Sequence, residues 1–175
     1  MSPRAIFVPD APVPAKEAPP IRPAPLVLAV LVWILLPVQT SLLPPLLPPT
    51  LRPDLMLAIA LSLAWLAPAP ASLSAAAILG LVRDTQTIGP FGMTALATLG
   101  AAAIVLPAAV RTLPRALPRF LIGASAGAIY LYLLWLLDRS AAEAFPLDSL
   151  LPFALAQGAG VLLLFPLVRA TRAAT

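Results

Sequence analysis

Five stretches of this chain carry no charged residue at all: 25–43, 55–82, 93–110, 120–137 and 150–168. A helix needs about 20 apolar residues to cross a hydrocarbon core about 30 Å thick, and four of the five stretches are close to that length. The stretch 55–82 is too long for one crossing and is divided by Pro68 and Pro70. The pattern therefore predicts six helices. No soluble fold offers an alternative: 61% of the residues are hydrophobic and 10% charged, against about 45–50% and about 25% in soluble domains. The expected fold class is an all-α integral membrane protein of about six transmembrane helices.

The residue inventory removes several chemistries. There is no Cys and no His, which excludes disulfides, thiolate zinc sites, a Cys nucleophile and an imidazole base. Neither a phosphate-cradling Gly loop followed by Lys nor a Ser with a credible base is present. No enzyme activity, cofactor or metal is expected. Lys16 is the sole Lys among 11 basic residues, and the net charge of +4 reflects topology rather than nucleic-acid affinity.

Residues 1–23 hold Pro3, Pro9, Pro12, Pro14, Pro19, Pro20 and Pro23, a spacing that opposes helix and predicts a disordered tail. The membrane domain is expected over 24–170, with a short tail at 171–175. The first run, 25–43, is too long and lacks the small-residue site of a cleaved signal, so it is expected to stay as an anchor kinked at Pro37. Pro44–Pro49 then reads as a stiff extended loop, and Pro53 as part of a helix first turn. The second helix, 55–66, is short and crosses only if it includes Pro53 and Asp54. The third covers 72–82, the fourth 93–110, the fifth 120–137 and the sixth 150–168.

The basic residues orient this frame. With six spans and both termini cytoplasmic, eight basic residues (Arg4, Lys16, Arg22, Arg111, Arg115, Arg119, Arg169, Arg172) lie inside and three (Arg52, Arg83, Arg139) outside. That asymmetry is the positive-inside bias; with a composition rich in Ala, Leu and Pro and in Arg over Lys, which suggests a GC-rich bacterial genome, the expected location is the bacterial inner (cytoplasmic) membrane as a multi-pass protein. Arg111, Arg115 and Arg119 would then face anionic membrane lipid at the inner leaflet.

Two patterns bear on packing. Gly123 and Gly127 form a G-x-x-x-G pair in the fifth helix, which brings helix backbones close, either inside the bundle or against a partner helix. Tyr130, Tyr132 and Trp135 fall toward the outer end of that helix, as in an interfacial aromatic belt.

The charges that demand a reason are Arg52, Asp54, Arg83 and Asp84. Each costs roughly 2.5–3.5 kcal/mol at mid-bilayer on insertion scales. In the six-span frame all four lie near one membrane face on neighbouring helices, with Arg52 expected to pair with Asp84 and Asp54 with Arg83. The cluster caps helix ends and locks the hairpin, docks a partner, or serves as a proton or substrate site. The remaining polar residues of the spans (Gln39, Ser62, Thr94, Thr98, Ser125, Gln157) are scattered and supply little for a pocket.

Arg52-Pro53-Asp54-Leu55-Met56-Leu57, followed by Gly80-Leu-x-x-Asp84 and Gly89-Pro90-x-Gly92-x-x-Ala95-Leu96, resembles the rod shape-determining protein MreD family. That family has a Pro-Asp-Leu entry to one helix and a Gly-x-x-x-Asp…Gly pattern after the next. The resemblance spans roughly 24–170, its specific part is 52–96, and Arg83 beside the motif Asp departs from the family pattern. It implies a non-enzymatic scaffold of the cell-elongation machinery for peptidoglycan synthesis and cell shape. The implied partners are MreC first, then MreB, a SEDS glycosyltransferase and a class B penicillin-binding transpeptidase. It also implies Asp54 and Asp84 as helix-end polar positions, and Gly80, Gly89, Pro90 and Gly92 as turn and packing positions. The alternative is a small-molecule-binding membrane subunit of a transporter, like the substrate subunits of vitamin importers, whose expected mark is a polar pocket near mid-membrane. On the scaffold reading, Asp84→Ala is expected to weaken partner capture more than it reduces folded protein.

Overall fold

The computed structural model describes residues 25–87, 90–113, 115–138, 145 and 147–173. The tail 1–23, Gly89 of the motif, and Arg139 and Glu143 of the loop before the last helix lie outside them. All described elements are helical: α1 (Pro25–Pro37), a π-turn (Val38–Leu42), α2 (Leu43–Leu46), a 3-10 turn (Pro49–Leu51), α3 (Leu55–Leu63), α4 (Ala69–Asp84), α5 (Met93–Arg111), α6 (Ala116–Leu137) and α7 (Leu147–Ala173).

Four helical stretches are long and apolar enough to cross a membrane: Pro25–Leu46, Met93–Arg111, Ala116–Leu137 and Leu147–Thr171. The other two helices are shorter. At 1.5 Å per residue, the 9 residues of α3 rise about 14 Å and the 16 of α4 about 24 Å. Six helical segments thus exist, but only four have spanning length by themselves.

The shortest of these six segments is the centre of the bundle. Every residue of α3 is buried, and it packs on α4, α5 and α7. A helix apolar on all sides belongs in the middle of a bundle. Its start is set by Asp54, whose carboxylate Oδ1 accepts from the N–H groups of Met56 (3.0 Å) and Leu57 (3.1 Å), an N-cap that stabilises a helix by about 1 kcal/mol. Asp54 and Pro53 therefore precede the helix and do not lengthen it. Large apolar side chains such as Trp33, Ile78, Leu96, Ile104, Leu121 and Leu163 face outward, as a lipid-facing surface requires.

Small residues set the helix spacings. A Cβ on Gly80 would lie 2.4 Å from Ala95 Cα, so α4 and α5 touch backbone to backbone. Gly123 meets Val161 and Gly158 of α7, and a Cβ on Gly127 would stand 2.7 Å from Gln157 Cβ. The G-x-x-x-G pair thus seats α6 on α7 within the chain. On α6 the buried face runs Ile122, Gly123, Ala126, Gly127 and Tyr130, one stripe of a 3.6-residue period.

Three local expectations change. The segment after α1 is extended only at Leu47 and Pro48: Leu43–Leu46 is a helical turn and Pro49–Leu51 a 3-10 turn. The irregularity beyond Pro37 takes the form of a π-turn in which Leu43 N–H reaches the Val38 carbonyl. Tyr130 does not join an interfacial belt but is buried, while Tyr132 and Trp135 cluster with Phe145 at ring separations of 5.4–6.0 Å.

Gly80→Ala should destabilise the protein by about 1–3 kcal/mol, since its methyl meets a backbone atom that has no rotamer to yield. Gly100→Ala should cost less, because its nearest atom is the Leu133 Cδ1 methyl at 2.8 Å. Thermal melts of the two variants in detergent check the order; equal losses would contradict the packing described.

Candidate functional site

Two buried carboxylates organise one half of the bundle, and they do different work. Asp84 ends α4 but serves α5. Its Oδ2 accepts from Gly92 N–H (3.0 Å) and Ala95 N–H (3.2 Å), and its Oδ1 from Thr94 N–H (2.9 Å). The Thr94 hydroxyl lies against the same Oδ1 and 3.0 Å from the Gly80 carbonyl oxygen. A carboxylate at a helix C-terminus is unfavourable toward its own dipole but favourable toward a facing N-terminus, and here three N–H bonds decide for α5. Gly92 makes the approach possible with φ +93°, a left-handed conformation natural to glycine.

Asp54 is the junction of four elements. Beyond capping α3 with Oδ1, it presents Oδ2 to Arg83 Nε of α4 at 3.3 Å and to the Tyr130 hydroxyl of α6 at 3.2 Å. Its backbone is held as firmly. Asp54 N–H donates to Gln157 Oε1 (2.8 Å), and Gln157 Nε2 donates back to the Asp54 carbonyl (3.1 Å). Gln39, from the π-turn, accepts from Leu55 N–H at 3.2 Å. Gln157 lies ten residues past Leu147, the start of α7, about 15 Å along it. Asp54 therefore sits well inside the bundle, not at its rim.

The expected pairing is half realised. Asp54 meets Arg83, but Arg52 does not meet Asp84. Arg52 instead donates from Nε to the Leu47 carbonyl (2.7 Å) and from Nη2 to the Pro44 carbonyl (2.9 Å). The Pro residues of this segment have no N–H to build a regular ladder, so its carbonyls need another donor.

Arg52, Asp54, Arg83, Gln39, Gln86 and Tyr130 line a cavity of about 440 Å³, closed on its apolar side by Leu43, Leu134 and Phe153. Phe153 and Tyr130 stack with ring centroids 6.2 Å apart. Of these, Gln39 and Tyr130, along with Gln157 behind Asp54, were not legible as site residues from spacing. The available signal was a Gln within a long apolar run, which needs a buried polar partner. The remaining motif glycines do not line the cavity: Gly80 and Gly92 shape the α4–α5 junction, and Gly123 and Gly127 the α6–α7 contact. Pro90 lies in the connection before Gly92, where its carbonyl accepts from Met93 N–H at 3.2 Å.

At the other end, the Arg119 guanidinium lies 4.2 Å from the centre of the Phe165 ring, which also takes Trp65 edge-on at 6.1 Å. Arg111 and Arg115 are exposed there. Among the described residues no group of three or more Asp, Glu, His or Cys is placed to hold a metal.

The fold and site thus define an all-helical bundle with an apolar exterior and a partly buried ion pair beside a polar cavity. No family model, curated protein or solved structure matches the chain.

This geometry reverses the expectation for Asp84→Ala. Its carboxylate is buried and committed to α5, so its removal strands N–H groups at about 1–3 kcal/mol each where they stay dry. Asp84→Ala should lower the melting temperature in detergent, and partner capture should fall only in proportion to folded protein. Full folded yield with lost capture would show that Asp84 faces a partner.

Proposed function

We propose that the chain is a non-enzymatic membrane scaffold of the bacterial cell-elongation complex, with MreC as its first partner. MreB, the SEDS glycosyltransferase and the class B penicillin-binding transpeptidase are assembled through that contact. On this reading α3 and α4 complete a six-crossing bundle in the cytoplasmic membrane, with both termini cytoplasmic. The observation that supports it most is the unity of the stretch that carries the MreD resemblance. Asp54 caps α3, Asp84 caps α5, Gly80 closes α4 on α5, and Gly92 turns the chain into α5. Each of these four motif positions thus has a definite physical task.

A scaffold needs surface rather than chemistry. α1 buries none of its residues, so an apolar helix is available for lateral association in lipid. The apolar groove it shares with α4, lined by Val32, Trp33, Ile78 and Val82 among others, has the character of a helix-packing surface.

One observation favours the transporter-subunit reading: the polar cavity beside Asp54. Affinity purification of the tagged protein in mild detergent separates the two. Recovery of MreC with the protein is the expected result. Recovery of the protein alone, or with an energy-coupling ATPase, overturns the scaffold reading.

A further inference from the structure

The lining of the cavity carries more donors than the fold consumes. The accounting begins with Asp54, whose two oxygens accept four bonds: two from backbone N–H groups, one from Arg83 and one from Tyr130. A carboxylate offers about four lone-pair positions, so Asp54 is saturated. It has nothing left for a ligand.

The guanidinium groups are in the opposite condition. Arg83 spends only Nε on Asp54, which leaves both Nη groups unspent. Arg52 spends Nε and Nη2 on carbonyls and keeps Nη1. Gln86 adds a side-chain amide whose Nε2 carries two N–H donors, while its Oε1, an acceptor, is buried without a hydrogen-bond partner. Two guanidinium charges against one carboxylate give the lining a net charge of +1. A site whose one carboxylate is saturated, with unspent cationic donors and a single excess positive charge, selects a monoanion that accepts hydrogen bonds from several directions.

The anion has a shape as well as a charge. Donors from separate walls suit the tetrahedral oxygens of a phosphate better than a planar carboxylate. A phosphodiester carries one negative charge and neutralises the lining, whereas a phosphomonoester brings about −1.5 to −2 and overshoots it. The apolar wall of Leu43, Leu134 and Phe153 accommodates a non-polar continuation, and the volume of about 440 Å³ falls in the range of small-ligand sites, about 300–1,000 Å³. Access is lateral: α1 is not packed along α6, and Thr40 at the edge of the cavity is exposed.

We infer that this cavity is a binding site for a phosphodiester monoanion, held by Arg83, Arg52 and Gln86, with its apolar part against Phe153 and Leu134. The inference goes beyond the scaffold reading and gives the transporter reading a ligand class. A lipid headgroup and the monoanion of inorganic phosphate share the recognised chemistry, so the test, run at about pH 5 to keep free phosphate singly charged, has an arm for each.

The purified, delipidated protein would be titrated with phosphatidylglycerol, with diacylglycerol of the same acyl chains, and with inorganic phosphate. Native mass spectrometry counts bound lipid, and equilibrium dialysis measures phosphate. One phosphatidylglycerol per chain, with diacylglycerol bound at least tenfold more weakly, is the expected result and identifies the lipid source. Saturable phosphate binding without lipid preference identifies a soluble source. Gln86→Glu places a negative charge in the cavity without removing any hydrogen bond of the fold, and should weaken binding about tenfold or more. Arg83→Lys, which keeps the charge but loses the fork, should also weaken it. Arg119→Gln, at the other end of the bundle, should leave it unchanged. Absence of both phosphatidylglycerol and phosphate binding overturns the inference, as does binding that survives Gln86→Glu or falls equally with Arg119→Gln. A protein that captures MreC yet binds neither probe keeps the scaffold reading and loses this one.

Discussion

The carboxylate of Asp54 is the group on which the rest of the bundle depends. An isolated charge in an apolar interior is costly enough that proteins bury charges only when they are paired and bonded. Breaking one side of a buried pair typically costs about 3–5 kcal/mol. Satisfying Asp54 therefore dictates the positions of several elements at once. α3 must begin beside it, α4 must end there to bring Arg83, and α6 must pass with Tyr130 facing inward. α7 must lie close enough for Gln157 to bond the Asp54 backbone. That last contact depends on Gly127, because a side chain there would occupy the place of the Gln157 stem. The small-residue pair of α6 and the polar junction are one device.

Asp54 and Asp84 look alike in sequence, since each stands at a helix end beside an Arg. The structure divides their work. Asp84 joins consecutive elements by capping α5 across a tight connection. Asp54 joins α3 to elements far away in the chain. Both are buried and fully engaged within the chain, so a protein partner would meet the apolar exterior rather than either carboxylate. Around the cavity, the basic side chains left with unused donors are Arg83 and, to a lesser degree, Arg52.

Much of the frame was legible because it follows from local rules. The start of α5 at Met93 and the end of α6 at Leu137 coincide with the expected limits, as they follow from a glycine turn and from the end of an apolar run. α4 exceeds its expected span 72–82 by about a turn at its start and half a turn at its end, and α7 runs on past the expected end at 168 to Ala173. What was not legible is which faces meet. Tyr130 and Gln157 reach Asp54 across separations of 76 and 103 residues, and no periodicity carries that register. In α3 the pattern is apolar on all sides, so it points nowhere. The length of α3 was not legible either: the expected helix 55–66 is Leu55–Leu63, with Asp54 outside it as the N-cap. Arg52 was misassigned for a related reason: charge suggested a carboxylate partner, while backbone carbonyls of the adjoining segment had the greater need.

That need explains why a short central helix is tolerable at all. Because α3 begins deep in the bundle, the chain entering it between residues 43 and 54 must run irregularly beside apolar helices. Irregular backbone at membrane depth is sustained only where protein or a wet cavity satisfies its polar groups. This segment contains Pro44, Pro45, Pro48, Pro49 and Pro53, none of which can donate an N–H. Fewer N–H groups lower the number that need acceptors, but they leave carbonyls without internal donors. Arg52 supplies two donors to those carbonyls, and Gln157 and Gln39 serve the backbone of Asp54 and Leu55. The proline-rich entry, the guanidinium that binds its carbonyls and the buried carboxylate that starts α3 therefore belong to one solution. The chain is brought to the middle of an apolar bundle with few polar groups left bare, and the cavity remains where that filling is incomplete.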